Sequence, residues 1–300
     1  MSRSVLLVML AAGLWGTTGT AAFWLGADVS PWAIGAATMG FGGVILGVTG
    51  GSLTLLVLRD RGARLWLVLG AIGVVVYPLT FYWGMSLAGI SLGNVISLGL
   101  GPITVALLEW GVDRSSPSRR WWLSSGIALT GIVLMSTSEV ELGGGRPSDV
   151  PLGVLVAGLA GVSYGLFTYA FGRLIDRGHN PRGVIGGVFG LGAPVLLVVV
   201  AFTGAGLASS PLQIAGISYL VLGPMVIAYL AFSQALVSLR SSTVATVALL
   251  EPVIATLLAV LLIGERLGPL AVVGGLAVLI SIVLVQKKSG ERQSVNNTYS

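Results

Sequence analysis

Glu251 is the residue whose chemistry the rest of the chain has to accommodate. It stands beside Pro252 in the middle of an apolar run, S-S-T-V-A-T-V-A-L-L-E-P-V-I-A-T-L-L-A-V-L-L, that begins at Ser241. In a bilayer this carboxylate falls near the midplane, where an ionised group costs about 2.5 kcal/mol or more. Three roles are open to it. It can take up and release protons that drive transport, bind a cationic or amine-bearing substrate, or serve structurally, protonated and bonded to backbone or to a hydroxyl such as Thr243 or Thr246. Pro252 and, in an earlier apolar run, Pro102 each remove a backbone donor and free carbonyls around Ala248 and Leu98. Both prolines are candidate hinges, with static kinks as the other reading.

Other polar and aromatic residues fall into stripes at helical spacing. Asn94, Ser97 and Gly101 follow i, i+3, i+7. Tyr77, Thr80 and Gly84 form a second stripe, and Tyr229, Ser233 and Leu236 a third, with Gln234 beside it. Trp15 and Tyr164 lie near the middle of their own apolar runs. Together with Glu251, the residues Asn94, Ser97, Trp15, Tyr77, Thr80, Tyr164, Tyr229, Ser233 and Gln234 are the candidates for substrate binding or coupling; helix packing is the competing reading for each. Glu109, next to Trp110, is expected to snorkel or sit at an interface.

The elements that must position these residues are membrane helices. Hydrophobic residues make up 55% of the chain and charged residues 9%, against a charged share of roughly 25% in soluble domains, and mean hydropathy is +0.96. There is no cysteine and one histidine, His179, in a charged connection. Disulfides, thiolate metal sites and His-based zinc chemistry are thereby excluded, and no cofactor is implied. An enzyme would need a nucleophile with its base, or clustered carboxylates on a metal, and the pattern offers neither.

Ten apolar runs approach the ~20 residues that span a bilayer: about 4 to 25, 31 to 58, 65 to 87, 91 to 111, 120 to 138, 151 to 172, 183 to 204, 211 to 236, 241 to 263 and 268 to 286. The first is read as a span, not as a signal peptide. Of the 16 Lys and Arg residues, fourteen fall in alternate connections and only Arg146 and Arg266 in the others. The positive-inside bias puts both termini in the cytoplasm of a multi-pass plasma-membrane protein. The net charge of +5 is then a topological signal, with no nucleic-acid partner implied.

The two halves resemble each other. At an offset of 150, Leu100-Gly101-Pro102-Ile103 faces Leu250-Glu251-Pro252-Val253, and Pro31 with Gly40 and Gly42 faces Pro181 with Gly190 and Gly192. At an offset of 145, Ala12-Gly13-Leu14-Trp15-Gly16 faces Ala157-Gly158-Leu159-Ala160-Gly161, and at 149 Gly126-Ile127-Ala128 faces Gly275-Leu276-Ala277. Five spans per repeat is odd, so the second repeat enters the membrane from the opposite side. The expected fold is therefore an all-α membrane protein of ten helices in two inverted five-helix repeats, 4–138 and 151–286. An extracytoplasmic linker at 139–150 and a cytoplasmic tail at 287–300 complete it. Such a frame puts a site near the midplane between the halves, where Glu251 answers Gly101.

The motif Ala231-Phe232-Ser233-Gln234-Ala235-Leu236, then Ser241 with Ala245, Glu251-Pro252, Gly264-Glu265-Arg266 and Gly274-Gly275, resembles the end of an EamA domain of the drug/metabolite transporter superfamily. In the first half Phe81-Tyr82-Trp83-Gly84-Met85-Ser86 and Gly101-Pro102 stand in for it. The resemblance implies a ten-helix carrier for small metabolites, amino acids, sugars or drugs, often an exporter, working by alternating access. Where many members carry an arginine in the second helix, this chain has Thr38-Met39-Gly40.

A channel-like permease and a membrane-embedded enzyme are the competing functions. The aromatic stripes and scarcity of charge favour a small, neutral or zwitterionic, partly apolar substrate, with protons as a second candidate ligand. Gly43, Gly47 and Gly51, and Gly183 with Gly187 and Gly186 with Gly190, are small-xxx-small faces suited to packing inside the bundle or to a homodimer. Monomer and homodimer are both open. Trp121 and Trp122 after Arg119 and Arg120 read as an interfacial anchor.

Overall fold

The computed structural model describes residues 2–26, 29–88, 90–137, 148–263 and 268–286. The Gly264-Glu265-Arg266 motif, Arg146, all but the end of the 139–150 linker and the 287–300 tail lie outside the described residues. Among the described residues all regular structure is helical. In chain order the helices are α1 (Arg3–Gly16), α2 (Thr18–Leu25), α3 (Pro31–Arg59), α4 (Arg64–Ala88), α5 (Ile90–Asp113), α6 (Arg119–Thr137), α7 (Val150–Asp176), α8 (Pro181–Thr203), α9 (Pro211–Leu220), α10 (Ala228–Ala235), α11 (Ser241–Ala248), α12 (Glu251–Leu258) and α13 (Pro269–Gln286). A π-helical stretch, Val221–Ile227, joins α9 to α10, and a second, Ala259–Ile263, follows α12.

The starts of these helices follow from local chemistry. Ser2, Asn180 and Ser210 accept hydrogen bonds from the backbone of Val5, Arg182 and Gln213, satisfying donors that a helix N-terminus leaves open. Pro31, Pro181 and Pro211 occupy first-turn positions, where no amide donor is needed. Inside α3, Gly51 takes a left-handed φ of 51°, a conformation open to glycine without a steric cost.

Eight stretches among the described residues are long and apolar enough to cross a membrane: Arg3–Ala22, Pro31–Arg59, Arg64–Ala88, Leu92–Asp113, Val150–Asp176, Pro181–Thr203, Pro211–Ala235 and Ser241–Leu262. The other two expected spans correspond to α6 and to the shorter apolar helix Pro269–Val285, and these two pack against each other. Large apolar side chains also point outward around the bundle, among them Val48, Leu155, Phe202 and Leu261, which is the surface a hydrocarbon solvent requires. This is a multi-pass membrane protein.

The helices pair α3 with α8, α4 and α5 with α7, and α1 with α10, α11 and α12. Glycines let α3 and α8 approach closely: a Cβ on Gly43 would lie 2.8 Å from the Phe189 carbonyl oxygen, and one on Gly186 2.7 Å from that of Leu46. Gly43, Gly47, Gly183, Gly186 and Gly190 thus pack between α3 and α8 inside one chain, whereas Gly51 is exposed and a Cβ there would meet nothing within 4 Å. The centre holds Phe167, Phe171, Phe189, Phe232 and Tyr169, all fully buried.

One end of the bundle gathers most of the arginines and is tied by polar contacts. His179 Nε2 lies 2.9 Å from Asp60, Arg173 2.7 Å from Asp113, Arg240 2.8 Å from Glu109, and Arg177 donates to the Gly62 carbonyl. Arg120 donates to the Leu284 carbonyl at 2.7 Å. The Gly62 backbone N–H, and after it His179, hold the Asp60 carboxyl below its ordinary value. Two expectations change here. Trp121 is buried and only Trp122 is exposed, so one indole, not two, is available as an interfacial anchor. Glu109 does not snorkel outward; it is turned inward and buried, whereas its neighbour Trp110 is exposed.

Candidate functional site

The chain leaves its helical course beside Glu251. At the end of α11 the bonds tighten to i→i−3, with Leu249 N–H donating to the Thr246 carbonyl at 3.2 Å and Leu250 N–H to that of Val247 at 3.1 Å. A new helix, α12, then starts at Glu251, with Pro252 in its first turn. Proline cannot supply the bond that would have joined the two pieces, and Ala248, Leu249 and Leu250 before it are buried. The result is a membrane run made of two half-helices, and Glu251 sits at the positive end of the second. The earlier proline behaves differently, since α5 runs through Pro102 without a break.

Glu251 borders a cavity of about 110 Å³. Trp15 of α1 and Thr18 of α2 line it, with Gly35, Thr38 and Met39 of α3, and Tyr77, Pro78, Phe81 and Tyr82 of α4. Leu98 of α5, Tyr164 of α7, and Leu220, Pro224, Met225 and Tyr229 from the run through α9 and α10 complete the wall. The lining of α3 comes from its first turns and that of α4 from its second half, so the cavity is displaced away from the arginine-rich end.

Several contacts fix the walls. Trp15 Nε1 donates to the Pro224 carbonyl at 2.8 Å, a backbone group of the π-helical stretch, and its ring lies 5.1 Å from that of Tyr229. The Tyr77 ring is 5.8 Å from Tyr164 and 5.5 Å from Phe81. Gly101 makes room for Tyr164, because a Cβ there would come 2.7 Å from the ring Cε1. Gly16 does the same for α12: its Cβ would lie 3.0 Å from the Glu251 carbonyl oxygen and 2.8 Å from Ile254. Tyr77, Tyr82, Tyr164 and Tyr229 are all within electrostatic reach of Glu251. Among the described residues the Glu251 carboxylate takes part in no hydrogen bond or ion pair; Thr246 donates instead to the Ser242 carbonyl at 2.9 Å.

Five of the ten binding or coupling candidates therefore meet at one cavity: Glu251, Trp15, Tyr77, Tyr164 and Tyr229. The other five do not line it. Ser97 is fully buried and donates to the Ala157 carbonyl at 3.0 Å, which makes it an α5–α7 contact. Thr80 donates to Val76 at 2.8 Å and Ser233 to Leu230 at 3.0 Å, each within its own helix. Asn94 is half-buried on α5 and Gln234 is exposed.

Of the α4 stripe, Tyr77 meets the cavity, whereas Thr80 and Gly84 do not line it. Gly84 faces α7, where a Cβ would meet the Ala157 amide nitrogen at 2.8 Å, and the other α4 residues at the cavity are Pro78, Phe81 and Tyr82. An i, i+4 count of aromatics from Tyr77 finds Phe81. Thr38 and Met39, noted in the sequence only as standing where an arginine is common, are themselves cavity wall.

The model of the EamA-like transporter family matches residues 2–137 and again residues 151–286. The chain belongs to the EamA-like transporter family. It is similar to the uncharacterized transporter YwfM of Bacillus subtilis (strain 168), with 29% identity over 286 residues, covering 93% of this chain and 92% of that one. A crystal structure of a protein with 20% sequence identity shares the fold, with a TM-score of 0.79 over 96% of this chain and 98% of its own.

In this EamA-family chain the end opposite the cavity is held by polar contacts as well as apolar packing. Glu109 accepts from Arg240, from the Ser242 amide at 3.1 Å and from the Ser242 hydroxyl at 2.7 Å. Among the described residues no three His, Cys, Asp or Glu side chains come together in a way that would hold a metal.

Proposed function

We propose that this protein is a secondary active transporter that carries a small organic compound across the cytoplasmic membrane by alternating access, in the export direction. Ten spans form two inverted five-helix halves around the Glu251 cavity, and both termini lie in the cytoplasm. The observation that carries the reading is the cavity itself: a carboxylate at the break between two half-helices, enclosed by aromatic residues from both halves of the chain.

The helix contacts support the inverted repeat. Exchange of each run with its counterpart turns the α4–α7 pair into the α10–α1 pair and the α5–α7 pair into α11 and α12 on α1, while α3–α8 and α6–α13 map onto themselves. The twofold match of the family model agrees with this. Gly16 and Gly161, equivalent in the sequence repeat, each let their helix approach the equivalent partner, α12 and α5. The alternation of Lys and Arg supports cytoplasmic termini, and the polar ties at the arginine-rich end support a state closed toward the cytoplasm. Glu251, Trp15, Tyr77, Tyr164 and Tyr229, with Tyr82 and Thr38, are the substrate-facing residues, Glu251 is the coupling group, and Pro252 marks the pivot.

The test is flux. Compounds that raise the thermal midpoint of the purified protein bind its folded state. In proteoliposomes such a compound is taken up saturably and with trans-stimulation. Conductance linear in its concentration would instead establish a channel, and chemical conversion of the compound an enzyme.

A further inference from the structure

The cavity is lined by one carboxylic acid and no base. None of its lining residues is Lys, Arg or His, and the Glu251 carboxylate takes part in no hydrogen bond or ion pair among the described residues. A carboxylate in a water-poor site is costly unless a positive charge or strong donors accompany it. The first turn of α12 supplies part of that stabilisation, and the remaining counter-charge is not provided by the wall. Six aromatic rings surround the same space, those of Trp15, Tyr77, Phe81, Tyr82, Tyr164 and Tyr229, and aromatic rings attract cations most strongly where water is excluded.

We infer that the cavity takes a monovalent organic cation, an amine or quaternary ammonium with an apolar body and no carboxylate, with Glu251 as its counter-ion and the aromatic wall as its cage. The zwitterionic substrate that remained open from the sequence fits less well. Its carboxylate would enter beside Glu251 with only Thr18, Thr38 and phenol hydroxyls to receive it, and two like charges in one small apolar space repel strongly. The inference deepens the transport reading and rests on it for the purpose of the site, but not for the chemistry of binding.

A matched ligand series on the purified full-length protein tests it: phenethylamine, phenylalanine and 3-phenylpropionate, read by titration calorimetry. Phenethylamine is expected to bind about tenfold or more tightly than phenylalanine, the worth of one charge-assisted contact, and 3-phenylpropionate most weakly. Phenylalanine binding as tightly as phenethylamine, or no binding of phenethylamine, overturns the inference on the unmodified protein alone. Glu251→Gln should lose the preference for the amine and Glu251→Asp should keep it; a preference that survives in Glu251→Gln also overturns the assignment. Flux separates the two readings. Saturable phenylalanine uptake without amine binding rejects the cation site and keeps the transporter, whereas amine binding without flux keeps the site and rejects the transporter.

Discussion

Glu109 caps a helix to which it does not belong: its carboxylate accepts the Ser242 amide at 3.1 Å and the Ser242 hydroxyl at 2.7 Å, in the first turn of α11. The same carboxylate meets Arg240 at 2.8 Å, and Arg240 reaches on to the Ser115 carbonyl at 3.2 Å. A helix N-terminus left open by Arg240, whose side chain makes no cap of its own, is thus completed from α5. The arrangement joins the first half of the chain to the second at the arginine-rich end, away from the cavity.

Glu109→Ala should therefore destabilise the protein by about 3–5 kcal/mol, because it leaves the Arg240 charge and the Ser242 amide without their shared acceptor. Glu109→Gln, which keeps an acceptor, should cost less and instead weaken the closure of this end. The chain has no cysteine, so a single cysteine at Ala248 reports access from the arginine-rich side. Faster labelling in Glu109→Gln than in the parent is the expected outcome, and equal rates would show that this contact does not hold the end shut.

Gly16→Ala should shift α1 off α12 and weaken both folding and ligand binding. The added methyl would meet the Glu251 carbonyl oxygen at 3.0 Å and Ile254 at 2.8 Å, an overpacking that costs about 1–3 kcal/mol. Trp15 is the preceding residue and lines the cavity, so the displacement reaches the ligand. Gly19→Ala, where a Cβ meets nothing within 4 Å, is the matched control. A thermal midpoint no lower in Gly16→Ala than in Gly19→Ala would contradict this account.

Much of this frame was legible because it depends on quantities that run along the chain. Span length, the alternation of arginine-bearing connections and the loss of a donor at Pro252 need no knowledge of neighbours. The break at Leu249 and Leu250 stands beside Pro252, yet Pro102 leaves α5 intact, so a proline marks where a helix can part without fixing that it does. Faces were harder. On α4 nearly every residue is apolar or aromatic, so periodicity alone does not separate Thr80, which bonds back to Val76, from Phe81, which meets the cavity. Glu109 beside Trp110 carried no mark of its partners, which lie more than a hundred residues away.

The contact between Asp60 and His179 gives a pH dependence outside the membrane. The Gly62 backbone N–H and then His179 hold the Asp60 carboxyl below its ordinary 3.8. A carboxyl lowered by folding stabilises the folded state above its unfolded value, and that contribution is lost as pH falls through the folded value. The loss of stability below about pH 4 should thus be smaller in Asp60→Asn than in the parent. Thermal midpoints measured from pH 6 to pH 3 test this, and parallel curves would exclude the contribution.

Proton coupling, if Glu251 carries it, must disappear with its carboxyl. The groups facing it are phenols, Tyr77, Tyr82, Tyr164 and Tyr229, and none of the lining residues is a second carboxylate, Lys, Arg or His. Glu251→Gln keeps the size and one acceptor oxygen, and since no side chain among the described residues bonds to the carboxylate the fold should not depend on the charge. The expected result in proteoliposomes is loss of flux driven by a pH gradient, with a thermal midpoint close to that of the parent. Flux in Glu251→Gln that still follows the pH gradient would remove the proton role from Glu251. A collapse of the midpoint would instead assign the carboxyl to the fold, and the paired Gly101→Ala variant, which crowds Tyr164 without touching a charge, separates disturbance of the cavity shape from loss of the proton.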